Sequence, residues 1–124
     1  MAPEKLILSR LPKTWILDLD GTLLKHNGYL LDREDHLLEG SKDFIDSIPE
    51  EDFILILTAR TENYKEMTIE FLKKNSIRYD DIIFGIPTGE RILINDDKPG
   101  GLKTAYSINL KRDEGISLET ENIL

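Results

Sequence analysis

Five consecutive apolar residues, Phe53-Ile54-Leu55-Ile56-Leu57, constrain this chain more than any other stretch. A strand with one wet face alternates apolar and polar residues, so a strand that is apolar throughout needs cover on both faces, as in the middle of a parallel sheet. Trp15-Ile16-Leu17, Asp81-Ile82-Ile83-Phe84 and Ile92-Leu93-Ile94 read as further short strands, and Ala105 to Leu110 as a fifth. Between them lie segments of helical period. One runs from about Ser41, a candidate N-cap, to Ile48, with Phe44, Ile45 and Ile48 on one face and Pro49 after its end. The other starts at Thr61 or Glu62 and reaches about Asn75, burying Tyr64, Met67, Phe71 and Leu72. Strands alternating with helices predict an α/β fold: a single Rossmann-like domain, residues 1–124, whose parallel sheet of about five strands carries helices on both faces. The core is expected over about residues 13–110, followed by a charged, weakly periodic tail over 111–124.

Composition narrows the function. The formal net charge of −8 disfavours nucleic acid as a partner, since phosphate backbones reward dense Lys/Arg surfaces. No apolar run approaches the ~20 residues of a membrane helix, and Met1 to Lys5 has no leader-like layout. Cysteine is absent, which excludes disulfides and thiolate metal sites and suits a cytoplasmic protein. A phosphate substrate stays compatible with an acidic chain if the site supplies local cations, and a divalent metal is the usual source.

Three polar clusters follow the predicted strands, and ligand sites in parallel sheets lie outside the strands' carboxyl ends. The first cluster is Asp18-Leu19-Asp20-Gly21-Thr22-Leu23. Two carboxylates two residues apart can address one small volume, one attacking phosphorus while the other protonates the leaving oxygen. The second is Leu57-Thr58-Ala59-Arg60: a hydroxyl at a strand end with free N–H groups beyond it makes a phosphate cradle, to which Arg60 adds a cationic fork. The third, Asn95-Asp96-Asp97-Lys98-Pro99, offers hard oxygen ligands from Asp96 which, with Asp18, suit Mg²⁺. Acidic turns also cap strands everywhere; it is the ordered set that favours chemistry. His26 lies in the loop after the first cluster, where it reads as surface or as a contact to the leaving group. With no second histidine near it, zinc is disfavoured.

In this order the clusters resemble the haloacid dehalogenase-like hydrolase superfamily, over about Lys13 to Leu110. The resemblance implies that Asp18 forms an aspartyl-phosphate and that Asp20 is the acid/base, its main-chain carbonyl helping to ligate Mg²⁺. It implies too that Thr58 holds the phosphoryl group and that Asp96 ligates the metal directly or through water. Short relatives often carry a Lys-Pro pair as the basic residue, whereas this chain has Ile86-Pro87. Arg91 and Lys98 are the nearest substitutes; topology points to Lys98, which follows a strand's carboxyl end, and proximity to the usual position points to Arg91. Only about 18 residues separate the first motif from the first helix, which resembles a member without a cap domain. Such an open site leaves room for a neighbouring subunit of a homo-oligomer to cover it.

The expected activity is Mg²⁺-dependent hydrolysis of a small-molecule phosphate monoester. Similarity to short members associated with surface polysaccharides suggests a sugar phosphate. Two alternatives are a weakly catalytic binding module of the same superfamily and a receiver-type phospho-switch. A receiver places its acceptor Asp at the end of a middle strand, but the middle strand here ends in Leu57-Thr58. The motif order fits the hydrolase.

Overall fold

The computed structural model describes residues 5–123; the leader reading at residues 1–4 falls outside them. In chain order the elements are β1 (Lys5–Leu8), β2 (Thr14–Asp18), a helical turn α1 (Gly28–Leu31), α2 (Ser41–Ser47) and β3 (Phe53–Leu57). A 3-10 turn (Glu62–Tyr64) then leads into α3 (Lys65–Lys74), followed by β4 (Asp81–Ile83) and β5 (Glu119–Asn122). The domain is α/β and every strand pair is parallel, but the strands form two sheets. One has the order β2-β3-β4, and the other pairs β1 with β5.

The central sheet follows from the apolar runs. Register places Trp15 beside Ile54, and Leu17 beside Ile56 and so on the same face. Leu17, Ile54 and Ile56 on that face are buried with Ile45 and Ile48 from the α2 region and with Leu72 and Ile77 from α3 and its exit. Leu19, Leu23 and Leu24, from the turn after β2, belong to the same core. Asp52 locks the start of β2: its carboxylate accepts from the Lys13 amide at 3.1 Å and from Trp15 Nε1 at 2.9 Å.

Several expectations are corrected. Ile92-Leu93-Ile94 and Ala105 to Leu110 are not strands. Ile92 and Ile94 are 82% and 88% exposed, without the ladder partners that hold a short apolar run in a sheet. The sheet is therefore covered by its core on one face, while Ile16, Phe53 and Ile83, one position out of phase with the buried set, are exposed. The expectation of helices on both faces of one five-stranded sheet gives way to three plus two strands.

The C-terminal segment is structured where a tail was expected. Glu119–Asn122 is strand β5, paired with Lys5–Leu8, and Ile116 packs against the core. At Gly115, φ is +80°, and a Cβ there would collide with the Glu39 carbonyl oxygen; this close approach requires glycine. Ser41 does not cap α2. Gly40, at φ +84°, holds that position, and the buried Ser41 hydroxyl donates instead to the Leu23 carbonyl at 2.8 Å. Among the described residues, no helix is long and apolar enough to cross a membrane.

Candidate active site

Asp18 is the last residue of β2 and pairs in register with Leu57, the last residue of β3, so the first two polar clusters emerge side by side. The chain turns at once after Asp18. Leu23 and Leu24 amides donate to the Leu19 carbonyl at 2.9 and 3.0 Å, and the Gly21 amide donates to the Leu24 carbonyl at 2.7 Å. Gly21 takes φ +86°, the left-handed geometry that lets this turn close. The Asp20 carbonyl receives no hydrogen bond among the described residues. The Asp18 carboxylate is partly exposed and has two neighbours: the Thr22 hydroxyl donates to Oδ2 at 3.2 Å, and Arg91 Nη1 donates to Oδ1 at 3.2 Å.

That second contact puts a cation beside Asp18. Arg91 reaches Asp18, whereas Lys98 forms no side-chain hydrogen bond or ion pair among the described residues and takes part only in a main-chain turn with Leu102 and Gly101. Without a strand at residues 92–94, nothing carries Lys98 toward the end of β2. The lean to Lys98 rested on that strand, which the structure does not form.

Thr58 and Arg60 follow β3, and main-chain bonds fix the segment: the Thr58 amide donates to the Ile83 carbonyl and the Gly85 amide to the Arg60 carbonyl. Thr58 is buried, and its hydroxyl oxygen accepts the Arg60 amide at 3.1 Å, leaving the hydroxyl hydrogen to donate.

Arg60 is not a surface fork awaiting phosphate. Its Nε and Nη2 donate to the two oxygens of Asp20 at 3.1 and 2.8 Å, and its Nη1 and Nη2 donate to the two oxygens of Asp35 at 3.0 and 2.7 Å. Nη1 also donates to the Thr68 hydroxyl at 2.8 Å, and the guanidinium carbon lies 3.9 Å from the centre of the Tyr29 ring. All five N–H donors of the guanidinium are thereby used within the protein. Burial works against the Arg60 charge, but its hydrogen bonds with Asp35 and Asp20 outweigh that and raise its pKa above the usual arginine value. Burial and, next, the Asp20 charge raise the Tyr29 phenol above its ordinary pKa. Asp35, within the polar run Arg33-Glu34-Asp35-His36, was not singled out by sequence, and nothing in that run separates it from its exposed neighbours.

The third cluster does not join the first two. Asn95 Nδ2 donates to the Thr104 carbonyl and the Thr104 hydroxyl to the Asp96 carbonyl, on an exposed loop. Among the described residues, no three His, Cys, Asp or Glu side chains come close enough to hold a metal, so the expected set Asp18, Asp20 and Asp96 is not assembled through its side chains. In donor chemistry, the partly exposed Asp18 carboxylate and the unbonded Asp20 carbonyl fit Mg²⁺, a hard ion that keeps several waters and takes few protein ligands.

His26 sits at the rim of the same loop. Its amide donates to Asp113 Oδ1 at 2.7 Å, and the Asp113 amide donates to the Gly21 carbonyl at 2.9 Å, so the C-terminal segment braces the turn that carries Asp20. No protein-family model matches this chain, and neither a curated protein nor a solved structure matches it.

Proposed function

We propose that this protein is a Mg²⁺-dependent phosphomonoesterase that works through an aspartyl-phosphate on Asp18. The observation that carries the reading is the partly exposed Asp18 carboxylate at a strand's carboxyl end, with a guanidinium 3.2 Å away and a second carboxylate, Asp20, two residues on. In the reaction, Asp18 Oδ bonds to phosphorus and the ester P–O bond breaks, while Asp20, which enters this step as the carboxylic acid, gives its proton to the departing oxygen and becomes the carboxylate. Water deprotonated by Asp20 then attacks phosphorus, releasing inorganic phosphate and restoring Asp18. Arg91 offsets charge on the phosphoryl oxygens, and the Thr58 hydroxyl donates to one of them. Asp18 and the Asp20 carbonyl would hold Mg²⁺. The ion, when bound, reduces repulsion between the phosphate and the nucleophile.

The resemblance to haloacid dehalogenase-like hydrolases supports this reading, as does the neighbouring of the first two motifs. The finer features belong to the proposal: a cap-free Rossmann-like member, a cytoplasmic location, and a sugar phosphate as substrate. A phosphate-binding module is the second reading, favoured by the separation of Asp96 from the first cluster. The test is steady-state hydrolysis across a panel of phosphomonoesters, sugar phosphates included, with Mg²⁺, for the parent and Asp18→Asn. We expect turnover by the parent and loss of at least about 10³-fold in the variant. Equal turnover by both overturns the mechanism, and phosphate binding without turnover selects the binding module.

A further inference from the structure

We infer that Arg60 and Asp35 are positioning residues that hold the Asp20 carboxylate in one orientation for proton transfer. This deepens the phosphomonoesterase reading and rests on it. The parallel pair of bonds from Arg60 Nε and Nη2 fixes the plane of the Asp20 carboxylate, not merely its distance. A single-point cation would leave the carboxylate free to rotate.

Arg60 is itself held from every side. Asp35 takes both Nη groups, Thr68 takes the remaining proton, and the Tyr29 ring lies against the guanidinium. Tyr29 in turn packs edge-on against Tyr64, whose carbonyl accepts from the Thr68 hydroxyl at 2.6 Å. The Arg60 and Asp35 side chains are 1% and 0% exposed, while Asp20 is 18% exposed, so Asp20 is the outlet of the cluster toward solvent.

Burying a charged triad is a costly way to fill a core, and apolar side chains of similar volume do so at least as well. Here the cluster ends on the carboxylate two residues beyond the nucleophile, and the orientation of a general acid is what proton transfer demands.

The test compares an alkyl phosphate, whose leaving oxygen needs a proton, with p-nitrophenyl phosphate, whose leaving group does not. Arg60→Lys keeps the charge and loses the fork; Asp35→Asn keeps the shape and loses the charge. For each we expect kcat/KM, which reports transfer to Asp18 and not the later hydrolysis common to both esters, to fall about 10²-fold on the alkyl ester and to stay within about threefold on the aryl ester. In an Asp20→Asn background neither substitution should lower alkyl turnover further. In the metal-free protein, carboxyl-carbon NMR relaxation of Asp20 should show lost order in Asp35→Asn.

Equal losses of kcat/KM on both esters, or losses that persist beside Asp20→Asn, overturn the positioning role while leaving the phosphatase reading intact. Should a charge variant not fold, Thr68→Val removes one acceptor of Arg60, together with the bond to the Tyr64 carbonyl, but keeps both carboxylates; it should lower kcat/KM on the alkyl ester several-fold, selectively, and no selectivity overturns the inference. A parent that hydrolyses neither ester overturns the phosphatase reading and the positioning role together.

Discussion

Arg91 Nη1 stands 3.2 Å from Asp18 Oδ1 although 73 positions separate the two residues along the chain. The pair is partly exposed, so its Coulomb energy contributes little to stability. Its consequence is local: a carboxylate that, in the proposed reaction, meets an anionic phosphate already has a fixed cation beside it.

Arg91→Ala should therefore cut turnover by about 10²-fold at saturating substrate, while Lys98→Ala should leave it within about twofold. Parallel steady-state assays decide between them. The opposite ranking would show that the segment around residues 91–98 is arranged differently when substrate is bound.

Chelation should abolish hydrolysis, and added Mg²⁺ should restore it, because the acidic chain offers one guanidinium at Asp18 against the charges of the phosphate and the carboxylate. Turnover that survives a strong chelator at full rate removes the metal from the mechanism.

Gly115→Ala should destabilise the fold by about 2–4 kcal/mol, since it places a Cβ against the Glu39 carbonyl oxygen at a left-handed φ. Urea unfolding of parent and variant measures this. A midpoint unchanged within error would mean that the segment 111–116 lifts away from Glu39 at no cost.

The Tyr29 phenol, raised first by burial and next by the Asp20 charge, ties stability to alkaline pH. A folded-state value above that of the unfolded chain means that the folded protein holds its proton longer. Its contribution is complete below the ordinary tyrosine pKa of 10.0 and is lost as pH rises through the higher folded value. An alkaline titration followed by phenolate absorbance should contain a late component that Tyr29→Phe removes. Titration of all four tyrosines at the ordinary value would contradict the burial of Tyr29.

The parts of this architecture legible in the sequence were those set by local pattern. Phe53–Leu57 and α3 appear where apolar runs and helical period place them, and the neighbouring of Asp18 and Thr58 follows from the pairing of β2 with β3. What escaped was set by long-range pairing. Glu119–Asn122 is polar and lacks β-branched density, so only its partnership with Lys5–Leu8 makes it a strand. Ile92–Ile94 is the reverse case, an ideal strand composition without a neighbour to pair with. Arg60 was read by type as a phosphate ligand, since no local rule announces that Asp35 waits in the loop before α2 to occupy it.

The β1–β5 ribbon joins Leu6 to Thr120 and thus closes nearly the whole chain into a ring, with two strands to hold it. Closing so long a loop carries a large entropic cost, and an isolated two-stranded ribbon is marginal in water. The ribbon should thus be the last part to assemble and the first to open, with the amides of Leu6 and Thr120 exchanging hydrogen faster than those of Ile54 and Ile56. Construction of the end of β2 that carries Asp18 and closure of the ring are then separable events. The sheet that presents Asp18 can stand complete while β1 and β5 are still apart.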